Sequence, residues 1–114
     1  MREYARQTGT GKVVSGEVGI YIHLHPDRIR AADVAFITDE RFAQIRSSCY
    51  LDVAPDVVVE VLSPEYTWTQ MMDKLRDYFS IGLRSVWVAD PNRARSLSIM
   101  PSPRGASSVR MRPW

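Results

Sequence analysis

Glu60 is the one carboxylate inside the apolar run of Val57 to Leu62, within a segment bounded by two prolines, Pro55-Asp56-Val57-Val58-Val59-Glu60-Val61-Leu62-Ser63-Pro64. So short a run of β-branched residues reads as an interior strand. A carboxylate buried there must be neutralised, paired or bound to a metal ion. One of the 13 arginines could pair with it, and a divalent cation is the functional alternative. Asp33, at the start of a second apolar stretch, is the other acid of interest, 27 residues earlier. If the two strands are neighbours, the carboxylates repel each other unless a cation such as Mg²⁺ or Mn²⁺ sits between them. A cation held this way activates water and offsets charge on a phosphate.

Lysine is scarce, with only Lys12 and Lys74 in the chain. Lys74 falls at the margin of an apolar helical face, beside Met71 and Tyr78, where its amine can lean inward and position a water against a phosphate. The plain alternative is a solvated lysine among Gln70, Asp73 and Asp77. Arg28 and Arg30, on the approach to Asp33, are candidates for phosphate contact, against ordinary surface pairing. His23 and His25 alternate on one strand face without a third ligand and read as solvated. Asp27 reads as a turn residue, Glu17 beside Gly16 as a turn residue or an accessory acid, and Asp56 as a cap on the strand mouth. Tyr78 and Trp87 read as core.

The elements that must carry these residues follow from periodicity. Residues 1–12, with Gly9-Thr10-Gly11, show no sustained period and read as a loose lead-in. Val18, Ile20, Ile22 and Leu24 alternate as the inner face of a strand that Pro26-Asp27 ends. A second strand covers about 33–37, Thr38 or Asp39 caps a helical turn through Ile45, and Val57–Leu62 is the interior strand. Between Trp68 and Phe79, apolar residues recur every three or four positions, an amphipathic helix that Gly82 stops. Strands at about 85–89 and 96–100 flank the turn Asp90-Pro91-Asn92. The order predicts one α/β (α+β) domain over 1–114, a mixed sheet with one main helix. Its ordered core spans about 13–100, and 101–114 is expected to be a flexible basic tail.

Composition narrows the function class. Net charge is +2, and Arg104, Arg110 and Arg112 in the tail leave the body near neutral, so nucleic-acid contact must come from local clusters. Cys49 is the sole cysteine, which excludes an internal disulfide and a cysteine-built zinc site. No apolar run reaches the length of a membrane span and no secretory apolar core opens the chain, so a soluble cytoplasmic protein is expected.

Taken in order, Lys12-Val13-Val14, Gly16-Glu17-Val18-Gly19, Arg30-Ala31-Ala32-Asp33-Val34-Ala35-Phe36, Pro55–Pro64, Lys74 with Tyr78 and Gly82, and Val86–Pro91 resemble the Uma-type endonucleases of the PD-(D/E)XK nuclease superfamily. The resemblance spans about residues 12–100 and implies a restriction-endonuclease-like core that hydrolyses DNA phosphodiesters with Mg²⁺ or Mn²⁺. Asp33, Glu60 and the backbone carbonyl of Val61 would hold the metal, and Lys74 would be a displaced catalytic lysine. Leu62 stands where the superfamily pattern has its lysine, and Ala32 replaces the proline before Asp33. Family members extend further at both ends, so the chain is expected to be a fragment, a minimal version, or one that completes its core as a homodimer. The competing expectation is a catalytically inactive nuclease-like domain that binds nucleic acid or protein through Arg28, Arg30 and the basic tail.

Overall fold

A computed structural model describes residues 4–101 and 107–113. It contains strands β1 (Tyr4–Gln7), β2 (Gly11–His23), β3 (Arg28–Thr38), β4 (Val57–Val61), β5 (Ser85–Asp90), β6 (Arg95–Pro101) and β7 (Ser107–Pro113). Helices are a single turn, α1 (Asp39–Phe42), and α2 (Trp68–Ser80), with a 3-10 turn at Pro91–Arg93 between β5 and β6. The strands form one sheet in chain order, with all neighbours antiparallel except β4 and β5. Parallel neighbours need a long crossover, and α2 supplies it. Its Met71, Leu75 and Tyr78 are buried in one cluster with Val58, Val86, Val88, Leu97 and Ile99 of the sheet. This is the mixed sheet with one main helix that the periodicity predicts.

The ends of α2 follow from local chemistry. Thr67 accepts the Gln70 N–H at 3.1 Å, and the Gln70 side chain accepts the Thr67 N–H at 2.9 Å, a capping box that satisfies two helix-end donors. Gly82, at φ 93°, takes the left-handed conformation just past the carboxyl end.

Three expectations need correction. Residues 1–12 are not wholly a loose lead-in, since β1 and the start of β2 form a hairpin around Thr8–Gly11. Glycine there marks the turn of a short edge strand whose Arg6 and Gln7 are exposed, so no apolar alternation betrays it. The first long strand begins at Gly11 rather than Val18, because Gly16 (φ 87°) and Glu17 (φ 57°) form a bulge that interrupts the alternation. Leu24 lies beyond the strand and is exposed. Finally, the flexible basic tail expected over 101–114 contains β7, which pairs with β6 from Arg95↔Pro113 to Pro101↔Ser107. Pro, Ser and Arg hide a strand whose backbone is held by a neighbour that already has its own buried face.

Candidate active site

The bulge in β2 determines where Asp33 goes. Ser15 pairs with Val34 and Val18 with Ala32, so Gly16 and Glu17 stand opposite Asp33 alone. The buried positions of β3 change parity there, from Ala32 on one side to Ala35 and Ile37 on the other. Bulges bend a strand and re-aim its side chains. Beyond this point β3 and β4 part, since their pairing covers only Val34↔Val59, Ala35↔Val58 and Phe36↔Val57. Two backbone groups at the fork, both on exposed residues, are taken up by side chains in place of the missing ladder. Asp33 Oδ2 accepts the Val61 N–H at 2.7 Å. The Lys74 ammonium donates to the Ala31 carbonyl at 2.6 Å.

Glu60 lies on the floor of the fork at 3 % exposure. Its Oε1 accepts the Tyr78 hydroxyl at 2.7 Å, and its Oε2 accepts the Lys74 ammonium at 3.0 Å. Lysine and tyrosine sit four residues apart on α2, one helical turn, so both reach the same carboxylate. Burial pushes the Glu60 carboxyl above its ordinary range; Lys74 and the Tyr78 hydroxyl oppose the rise, and the negative charge of Asp33 adds to it. Burial, together with the neighbouring Glu60 charge, drives the Tyr78 hydroxyl far above the normal tyrosine range, so it is a donor and not a base.

Asp33, Glu60, Lys74 and the Val61 backbone therefore line one fork. The partner of Glu60 is an ammonium and a phenol rather than the arginine that its burial also allowed. Tyr78 is core, as its spacing predicts, and its hydroxyl is a part of the site that the apolar periodicity conceals. The signal available was its position one turn after Lys74. Among the described residues, no group of three or more His, Cys, Asp or Glu gathers as a metal cluster.

Arg28 and Arg30 both meet Asp77 of α2: Arg30 Nε at 2.6 Å and Arg28 Nη2 at 2.9 Å from Oδ2. Burial would raise the Asp77 carboxyl, but hydrogen bonds from Arg30 and Arg28 outweigh it and hold the group below its usual range. Asp56 receives the Thr38 N–H at 2.9 Å and stands 3.4 Å from Arg41, at the far end of the β3–β4 ladder from the fork. Asp27 accepts the His25 N–H at 3.3 Å within a turn. His23 Nδ1 lies 2.8 Å from the Pro26 carbonyl, and both histidines are exposed. Trp87 is exposed on its sheet rather than in the core, because it projects from β5 opposite to the buried Val86 and Val88.

No helix among the described residues is long and apolar enough to cross a membrane. A comparison with curated proteins found no match. A solved structure described as a "putative nuclease belonging to DUF820 from Anabaena variabilis ATCC 29413" superposes with a TM-score of 0.65 at 17% sequence identity. The superposition covers 88% of this chain and 54% of that one, so the chain spans about half the length of this neighbour. At this identity the likeness establishes a shared fold, a mixed sheet with its crossover helix. A sequence model of the Uma2 family, described as "Putative restriction endonuclease", matches residues 1–109. With nearly the whole sequence matched and the fold shared, the chain belongs to the Uma2 family.

Proposed function

We propose that this chain is a divalent-cation-dependent nuclease that hydrolyses phosphodiester bonds in DNA. The observation that carries the reading is the fork between β3 and β4, where two carboxylates and a lysine from three separate elements line one opening. The donor chemistry fits a hard cation. Mg²⁺ is commonly held by one or two carboxylates, with phosphate and water oxygens completing its shell. Asp33, Glu60 and the Val61 carbonyl supply oxygen only, and each Glu60 oxygen keeps a lone pair beyond the one that its Tyr78 or Lys74 donor occupies. A bound Mg²⁺ or Mn²⁺ would supply a Lewis acid and an acidified water. Lys74, only 13% exposed in its side chain, holds positive charge where a phosphate would gain negative charge. Asp33 fixes the end of β4 through Val61, and Tyr78 orients Glu60. Arg28, half-exposed and shared with Arg30 on Asp77, is a proposed phosphate contact on the approach to the fork.

One observation favours a second reading, a catalytically silent module that binds nucleic acid or protein. The Lys74 ammonium is engaged by Glu60 and Ala31, and Leu62 occupies the place of the usual lysine. Plasmid DNA incubated with Mg²⁺ or Mn²⁺ separates the two. The wild-type chain should nick the plasmid, Asp33→Ala and Glu60→Ala should abolish nicking, and Lys74→Ala should slow it roughly 100-fold or more. Equal cleavage by all four proteins would mean a contaminant and sink the hydrolase. Absent cleavage with retained gel shifts would establish the module. Neutralising Arg110 and Arg112 to Gln then probes tail electrostatics without deleting β7.

A further inference from the structure

We infer that the cleft beside the fork binds one unstacked nucleotide of a single-stranded nucleic acid, its base on Trp68 and its phosphate against Arg93. This rests on the nuclease reading and names the substrate class. A cleft of about 460 Å³ opens where β4 runs out into Leu62-Ser63-Pro64 and β5 ends at Asp90. These are the carboxyl ends of the parallel pair, where open α/β sheets bind ligands. The volume lies within the range of small-ligand sites, about 300–1,000 Å³.

Its walls supply two complementary chemistries. Trp68, 49% exposed, and Tyr66 give aromatic surface on one side. On the other, Asp90 is buried beneath Arg93 (3.3 Å) and Arg95 (3.2 Å). Asp90 fixes the Arg93 guanidinium at the cleft wall, and that side chain stays 68% exposed, its remaining donors open to a phosphate. Aromatic rings beside a basic wall are the pattern by which single strands are bound, bases stacking while phosphates meet arginine. A base inside a duplex has both faces stacked and presents neither to Trp68. The cleft neighbours the fork, since the Tyr66 ring centre is 5.9 Å from the Lys74 ammonium and Leu62 follows Val61. A strand seated there would lead its next phosphodiester toward Glu60 and Lys74.

The test is fluorescence anisotropy in EDTA with short fluorescein-labelled oligothymidylate, oligouridylate and a duplex of equal length. Wild type, Trp68→Ala and Arg93→Ala are compared, and circular dichroism verifies that each variant keeps α2; Arg95 still holds Asp90 in Arg93→Ala. Single strands should bind more tightly than duplex, each substitution should weaken binding roughly tenfold, and Trp68→Ala should remove most quenching of tryptophan emission. Preference of oligothymidylate or oligouridylate identifies DNA or RNA as the source of the same base-and-phosphate unit. Unchanged affinity in both variants, or a preference for duplex, would overturn the inference. If strands bind through Trp68 and Arg93 yet Mn²⁺ brings no cleavage, the hydrolase falls and this site stands. Cleavage of single strands by both variants at the wild-type rate removes this site and leaves the hydrolase.

Discussion

A glutamate under a helix is tolerable only when each oxygen has a donor, and Glu60 has one for each, the Tyr78 hydroxyl and the Lys74 ammonium. Tyr78→Phe removes one donor while keeping the ring, so it should destabilise the fold by about 1–3 kcal/mol in urea titrations. The pH dependence has a definite sign. Because the folded Glu60 carboxyl lies above its ordinary value of 4.5, its contribution is fully present below that value and is lost as pH rises through the folded one. The tyrosine hydroxyl favours the ionised form, so the deficit of Tyr78→Phe should widen as pH rises through the Glu60 titration. A deficit independent of pH would mean that the hydroxyl does not act through the carboxylate. Residue types alone single out Asp33, Glu60 and Lys74 as candidates because charge inside apolar patterns demands a partner. The Tyr78 hydroxyl is not legible in the same way, since an aromatic at core spacing gives no sign of where its polar tip points.

Between elements, α2 is fastened to β3 by Asp77, whose one oxygen takes both Arg28 and Arg30. Asp77→Asn should cost about 1–3 kcal/mol at neutral pH, as expected for hydrogen bonds to a charged group whose side chain is 17% exposed. The folded carboxyl lies below its ordinary 3.8. Its stabilisation is therefore present above 3.8 and is lost as pH falls through the lower folded value, so wild type and variant should converge in acid. Stability curves that stay parallel down to that range would remove Asp77 as the clamp. Thr67→Ala, which dismantles the capping box, should cost about 1 kcal/mol by the same measurement. The helix and β4 are legible in the sequence because their signals are local: a period of three to four, a cap, a glycine stop, and prolines around a valine run. The start of β2 is not legible, because a two-residue bulge breaks the period of two on which the reading depends. That same bulge stands opposite Asp33, so the feature that obscures the strand is the one that aims the acid.

Across the whole molecule, one sheet carries its helix on one face, and its two ends are strands without apolar alternation. β7 owes its place to β6, whose buried Leu97 and Ile99 anchor it to the core and whose outer edge is left with backbone donors and acceptors to satisfy. A segment rich in Pro, Ser and Arg has no local pattern that announces such pairing, which is why a flexible tail is the natural sequence reading and a strand the outcome. Removing residues 102–114 would turn β6 into an open edge with Met100 exposed beside it. The shortened chain should lose at least about 2 kcal/mol, since several ladder hydrogen bonds go at once, and should self-associate in light scattering at concentrations where the full chain does not. Arg110→Gln with Arg112→Gln keeps the strand and should leave both properties unchanged while lowering the salt dependence of DNA binding by up to about two in the log–log slope. If truncation leaves stability and association untouched, β7 contributes no structure, and its arginines would then act from a tail as the composition first suggests.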